Sequence, residues 1–162
     1  MQHNEFYPHL FQPIELARRR LKNRIFHASI STHFLEQAGA HERQVQYLAN
    51  RARGGAAAIV TEPLGIAPHQ PNTRLRAYDD AMEDFGRRWA DAVEPLDCRL
   101  LGQIQDTGRG RHLPGRNASA IGASAQPDDL SWTMPHAMSK SEIAAFIESA
   151  AHSSARLARW GF

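Results

Sequence analysis

The sequence predicts an α/β fold built on a parallel sheet. Three apolar runs of strand length, Arg24 to Ala28, Ala56 to Thr61 and Arg99 to Ile104, are separated by two segments of helical periodicity, and a third such segment follows them. A strand–helix order repeated three times implies helical crossovers, in either a doubly wound sheet or part of a barrel. No Gly-x-Gly-x-x-Gly follows a strand: Gly102 lies inside the third run, and Gly108-Arg109-Gly110 opens no helix. That absence counts against a dinucleotide-binding sheet and for a barrel.

Taken in order, residues 1–22 read as an irregular arm, with Pro13-Ile14-Glu15-Leu16 pairing with Arg20-Leu21-Lys22 as a small hairpin. The first buried strand ends in the small hydroxyl residues Ser29 and Ser31, at the end of a parallel strand where α/β folds bind ligands. A loop from Thr32 to Ala40 turns at Gly39. A helix from about His41 to Arg53 follows, with Val45, Leu48, Ala49 and Ala52 on one face and Arg51 and Arg53 in the last turn, where cations suit the helix dipole. Gly54-Gly55 supplies a left-handed stop. The next strand, Ala56 to Thr61, is apolar throughout, as in a sheet covered on both faces.

Glu62 to Tyr78 reads as a long loop carrying Pro63, Pro68 and Pro71, a length uncommon without function. The second helix, from about Asp79 to Val93, has Met82, Phe85, Trp89 and Val93 as its stripe, and Pro95 ends it by disfavouring helical geometry at Glu94. After the third strand, Gln105 to Ala137 is too polar to be core. Ser139-Lys140-Ser141-Glu142 has capping-box spacing and starts a third helix. Its expected stripe is Ile143, Phe146, Ile147, Ala150, Ser154, Leu157 and Ala158, and Gly161 closes it.

Composition narrows the function classes. Apolar residues make up 42% of 162, enough for one core, and mean hydropathy is −0.50. No apolar run approaches the ~18 residues of a membrane span, and the polar N-terminus lacks a signal core, so a cytoplasmic protein without a membrane partner is expected. Cys98 stands alone, which excludes an internal disulfide, and the nine histidines show no metal-ligand spacing on a shared helix, so no metal site is expected. The net charge is only +2, and Arg18-Arg19-Arg20 has no aromatic interleaving, so no nucleic-acid partner is expected. The Asn117-Ala118-Ser119 sequon has no secretory signal to give it meaning.

Four islands in register resemble the old yellow enzyme family of NADH:flavin oxidoreductases. They are Leu10-Phe11-Gln12-Pro13 with Leu21-Lys22-Asn23-Arg24-Ile25; Arg51-Ala52-Arg53-Gly54-Gly55 leading to Ile59-Val60-Thr61-Glu62; Gln103-Ile104 with Thr107-Gly108-Arg109; and Met138-Ser139 with Glu142-Ile143. The resemblance runs from about residue 9 to 162. It implies the N-terminal part of a (β/α)8 TIM barrel, about three βα units over 23–162, with the barrel not closed by this chain. It also implies FMN at the C-terminal ends of the strands, NADH or NADPH as co-substrate, and hydride transfer to an enoyl or amine small-molecule substrate. Ala28-Ser29-Ile30 looks closest to the 2,4-dienoyl-CoA reductase and trimethylamine dehydrogenase branch.

By the same resemblance, Ser29, Ile30 and Ser31 contact the flavin through backbone groups, and the Ser31 hydroxyl hydrogen-bonds near its O4 and N5. Pro63 touches the ring through a carbonyl without an N–H to offer. Gln103 binds the pyrimidine edge, accepting from an N–H and donating to a carbonyl. His33 lies where some relatives carry a substrate-facing Tyr. Without the resemblance, Gln103 reads as a capped strand end, Ser31 as a hydroxyl bonding its own backbone, and His33 as a surface loop residue. Asp106 replaces a His that many relatives carry. No catalytic residue is expected in this chain: the His pair or Tyr of the family, and any iron–sulfur cluster, belong to a part beyond Phe162. Three strands without neighbours would leave an open edge and uncovered apolar surface, so a partner is expected, either a second copy or the remainder of the barrel. The alternative function is a catalytically inactive barrel piece with a structural or interaction role.

Overall fold

The computed structural model describes residues 5–34, 41–68, 75–110 and 115–162, without the side chains of 116–118. The expected turn at Gly39, the loop proline Pro71 and the Asn117 side chain lie outside the described parts. A hairpin opens the chain: β1 (Ile14–Leu16) pairs antiparallel with β2 (Arg19–Leu21), turning through Ala17 and Arg18, both at positive φ. Only Phe26–His27 of the first apolar run enters the main ladder, as β3. Its register is set upstream. Asn23 accepts the Ile25 amide on Oδ1 and donates from Nδ2 to the Gly55 carbonyl, while Ala57 N–H donates to the Ile25 carbonyl.

Helix α1 (His41–Arg53) ends as its glycines require. Gly55 has φ +100, its N–H bonds Ala52 O, and the Ala56 N–H bonds Arg51 O, the two bonds of a Schellman cap. The chain then enters β4 (Ala58–Val60), which pairs in parallel with β3 on one side and β6 (Arg99–Leu101) on the other. The order is therefore β3-β4-β6, three adjacent parallel strands with no closed sheet.

Register assigns the faces. His27, Ile59 and Leu100 stand in line, as do Phe26, Ala58 and Arg99, and side chains alternate along a strand. Ile59 and Leu100 join one apolar core with Leu48 and Ala52 of α1, Trp89 and Ala90 of α2 (Glu83–Asp91), and Leu157 and Trp160 at the end of α3 (Lys140–Arg159). His27 meets Tyr47 of α1, ring Nε2 to hydroxyl at 3.2 Å, and burial, then the nearby Arg51, lowers its pKa. On the opposite face Phe26 and Leu101 are 41% and 40% exposed. Among the described residues the helices thus pack on the Ile59–Leu100 face, the arrangement of a barrel wall rather than of a doubly wound sheet. No helix among the described residues is long and apolar enough to cross a membrane.

Four expectations need correction. The third strand is not continuous: after Leu101 the chain passes Gly102 and Gln103 before β7 (Ile104–Gln105) pairs with β5 (Leu64–Gly65). Pro63 faces this break with no N–H to extend a ladder, and a Cβ on Gly102 would lie 2.9 Å from Leu157 Cδ1, so α3 crowds the backbone there. The second helix begins as a 3₁₀ turn, Asp80–Met82, and ends at Asp91, with Pro95 inside a further 3₁₀ turn, Glu94–Leu96. The polar stretch after Gln105 is not all loop. It holds the parallel pair β8 (Gly115–Gly122) and β9 (Thr133–Ala137), with a register shift between Arg116 and Ile121, and buries Ala120 and Thr133 completely. Finally, the buried side of α3 runs through Ser153 and Leu157 to Trp160, while Ile143 and Ile147 are exposed.

The start of α3 is as the spacing predicts. Ser139 Oγ accepts the Glu142 N–H at 3.3 Å, and Glu142 Oε2 accepts the Ser139 N–H at 2.7 Å. His136 on β9 adds a 2.8 Å contact to Glu142 Oε1. The Ser139 backbone bond first, then the Ser139 hydroxyl and His136, depress the Glu142 pKa to about 2. A depressed carboxylate stabilises above its unfolded pKa and loses that contribution as the pH falls through the folded one. Protection of the amides at the start of α3, measured relative to their intrinsic exchange at each pH, should therefore fall between about pH 4.5 and 2, and Glu142→Gln should flatten that dependence. Packing makes a second prediction. A Cβ on Gly86 would lie 2.3 Å from Trp160 Cε3, an overlap that outweighs the ~1 kcal/mol helix gain of alanine. Gly86→Ala should lower stability by about 1–3 kcal/mol in urea unfolding followed by tryptophan fluorescence.

Candidate functional site

The candidate site is the carboxyl end of the three-stranded ladder. Beyond His27 the chain leaves the sheet through Ala28 to Ser31, with Ile30 54% exposed and Ser31 exposed. Beyond Val60 come Thr61, Glu62 and Pro63; beyond Leu101 come Gly102 and Gln103. Parallel strands end together, so these three exits lie side by side.

Two of the expected residues meet. Ser29 Oγ donates to Gln103 Oε1 at 2.5 Å, joining positions 74 apart in sequence. The Gln103 backbone is held from both directions: its N–H donates to Thr61 Oγ1 at 3.1 Å, and its carbonyl accepts the Leu64 N–H at 2.8 Å. The break in the ladder thus leaves Gln103 without orphaned backbone groups, and its exposed side chain points its amide at the Ser29 exit. With Oε1 engaged by Ser29, Nε2 is the group free to donate outward. Donation and acceptance together, as expected for Gln103, would require Ser29 to release the oxygen.

The remaining expected residues fall around this pair. Among the described residues, Ile30 and Ser31 form no backbone–backbone hydrogen bond. Pro63 is half-buried at the end of the central strand. His33 is exposed, with the left-handed φ of 55. Asp106 accepts the Gly108 N–H on its own loop, a local turn bond. Among the described residues no group of His, Cys, Asp or Glu could hold a metal ion.

A polar layer that sequence reading missed lies behind these residues. Thr61, Glu62 and Gln44 are buried, at 1%, 4% and 1% exposure. Thr32 Oγ1 donates to Gln44 Oε1 at 2.8 Å with Glu62 Oε1 at 3.4 Å, and the Thr32 N–H donates to Glu62 Oε2 at 3.2 Å. Thr61 and Glu62 could have been singled out by their place at a strand's carboxyl end. Gln44 could have been placed inward by lying four residues before Leu48 on the buried face of α1.

The model of the NADH:flavin oxidoreductase / NADH oxidase family matches residues 9–162. Among curated proteins, the chain is 27% identical over 154 residues to a metal reductase of Desulforamulus reducens, covering 94% of this chain and 23% of that one. It is 26% identical over 148 residues to an NADH oxidase of Thermoanaerobacter brockii, covering 88% of this chain and 23% of the other. This chain thus spans about a quarter of the length of these relatives. Among solved structures, a 2-naphthoyl-CoA reductase in complex with 2-naphthoyl-CoA superposes with a TM-score of 0.82 at 21% identity, covering 96% of this chain and 26% of that one. This likeness bears on the fold, and it agrees with part of a barrel.

The Ser29–Gln103 bond is open to direct measurement. Ser29→Ala should shift the side-chain amide resonances of Gln103 and change stability by no more than ~0.5 kcal/mol, because the pair is exposed. Unshifted Gln103 resonances would mean that the bond does not form in solution.

Proposed function

This chain belongs to the NADH:flavin oxidoreductase / NADH oxidase family, and on that premise we propose that its strand ends form one wall of an FMN site. The enzyme would pass hydride between NADH or NADPH, the flavin and an enoyl or amine substrate, in the manner of the dienoyl-CoA reductase and trimethylamine dehydrogenase branch. The observation that supports the reading is the Ser29–Gln103 hydrogen bond, which joins two residues that the same resemblance implies as flavin contacts.

The donor set suits a flavin ring edge. A polar planar heterocycle needs neutral donors and acceptors along its rim, and this site offers Gln103 Nε2, the Ser31 hydroxyl and the backbone of residues 29–31. Pro63 adds a carbonyl and withholds an N–H. FMN, when bound, supplies the hydride-carrying chemistry; the protein contributes orientation and electrostatics. Gln103 orients the ring by donating to a carbonyl. Ser31 stabilises electron density on the ring by donating a hydrogen bond. His33, exposed on the loop beyond Ser31, is the residue placed to meet substrate. Proton delivery to substrate we assign to a part of the barrel outside this chain.

Titration of the chain with FMN tests the reading. Saturable quenching of flavin fluorescence is expected, and Gln103→Ala should weaken it about tenfold, the ~1.4 kcal/mol typical of one lost hydrogen bond to a polar ligand. A chain that quenches no flavin would instead favour the structural or interaction role.

A further inference from the structure

The geometry points to Glu62 as the positioning residue of this site: its buried carboxylate holds the loop that carries Ser29–Ser31, as its neighbour Thr61 holds Gln103. The inference rests on the flavin-site reading above and adds to it a residue that touches no ligand.

Consecutive residues at the end of β4 reach in opposite directions. Thr61 Oγ1 takes the Gln103 N–H on the β6 side, at 3.1 Å. Glu62 takes the Thr32 N–H on the β3 side, at 3.2 Å through Oε2, with Oε1 3.4 Å from the Thr32 hydroxyl. That hydroxyl has one proton, which goes to the nearer Gln44 Oε1 at 2.8 Å, so of the two Thr32 groups it is the backbone amide that donates to Glu62. Phe34 N–H in turn lies 3.4 Å from Thr32 Oγ1, and between them His33 turns through a left-handed φ of 55. Thr32 is thus one point at which the loop is tied down; Phe34, edge-on to Tyr47 with Arg43 over its ring, is another. The amide that Glu62 grips is the first one after Ser31.

The chemistry of Glu62 suits that task. A carboxylate at 4% exposure is costly unless its oxygens are engaged by donors. An ionised carboxylate accepts only, so it matches the Thr32 backbone N–H and fixes which way the peptide there faces. Ile30 and Ser31 themselves are exposed and stand outside the ladder. Without the Glu62 contact, residues 29–32 keep the Ser29 hydroxyl bond to Gln103, the Thr32 hydroxyl bond to Gln44 and the long Phe34 N–H contact to Thr32 Oγ1. A ligand contacting residues 29–31 would then have to order the loop itself, at a cost in affinity.

Amide hydrogen exchange on the ligand-free chain, together with FMN titration of the same samples, tests the inference. In Glu62→Ala, the Thr32 amide should exchange at least tenfold faster while the amides of α1 keep their protection. FMN should bind at least tenfold more weakly. Glu62→Gln keeps one acceptor oxygen at the same size and should restore part of both losses. Unchanged exchange at Thr32 in a folded Glu62→Ala chain would overturn the inference. So would faster exchange with unchanged FMN affinity, which would leave Glu62 a purely structural role. If Glu62→Ala unfolds, as lost α1 protection would reveal, Glu62→Gln decides by the same two readings. Failure of the wild-type chain to bind FMN sinks the flavin-site reading alone, since the exchange at Thr32 reports on loop positioning without ligand.

Discussion

The burial of β4 between two parallel neighbours is the constraint on which the rest of this structure depends. Ala57, Ala58 and Ile59 have no solvent exposure, with β3 and β6 bonded on either side and α1 and α2 packed against one face. A strand so enclosed has no freedom of register, because a one-residue slip would exchange its two faces. The Gly54-Gly55 cap feeds it, and the Asn23 bonds to Gly55 and Ile25 align its neighbour before either strand begins. Once β4 is set, the positions of Thr61, Glu62 and Pro63 follow. Through Thr61 and Glu62, so do those of Gln103 and Thr32.

Much of this was legible from the residues, for physical reasons that can be named. Helix α1 matches its expected span, because its apolar spacing and its paired glycines are local signals that tertiary structure reinforces. The capping box at Ser139 is likewise local, and both its bonds form. The parallel order of the main strands followed from their alternation with helices, and family membership from islands spread along the chain. Ser29 and Gln103 were found through those islands, and their direct bond adds a geometric relation that neither position discloses alone.

What sequence reading missed depends on long-range contact. The pair β8–β9 is built from Gly-Arg-Asn-Ala-Ser-Ala-Ile-Gly and Thr-Met-Pro-His-Ala, which alternate too little to signal strands. Helix α3 shows how an apolar stripe can mislead. Ser153 is buried against the Ile66 carbonyl, whereas Ile147 is 62% exposed, because the last turns of the helix, with Leu157 and Trp160, set its rotation. The layer of Gln44, Thr61 and Glu62 was invisible for a similar reason: polar residues become core only when a distant donor, here Thr32, arrives to satisfy them. On the opposite face Phe26 and Leu101 are exposed while Ala58 between them is buried.

The central claim is that the exits of β3, β4 and β6 make one binding wall. Two-dimensional NMR of the isotopically labelled chain during addition of FMN tests it most directly, because every amide reports its own environment. The account predicts that shifts concentrate at Ser29, Ile30, Ser31, Leu64 and the Gln103 backbone and carboxamide. Shifts confined to the cleft where His136 and Phe146 lie, between β9 and α3, or spread evenly over the surface, would contradict it.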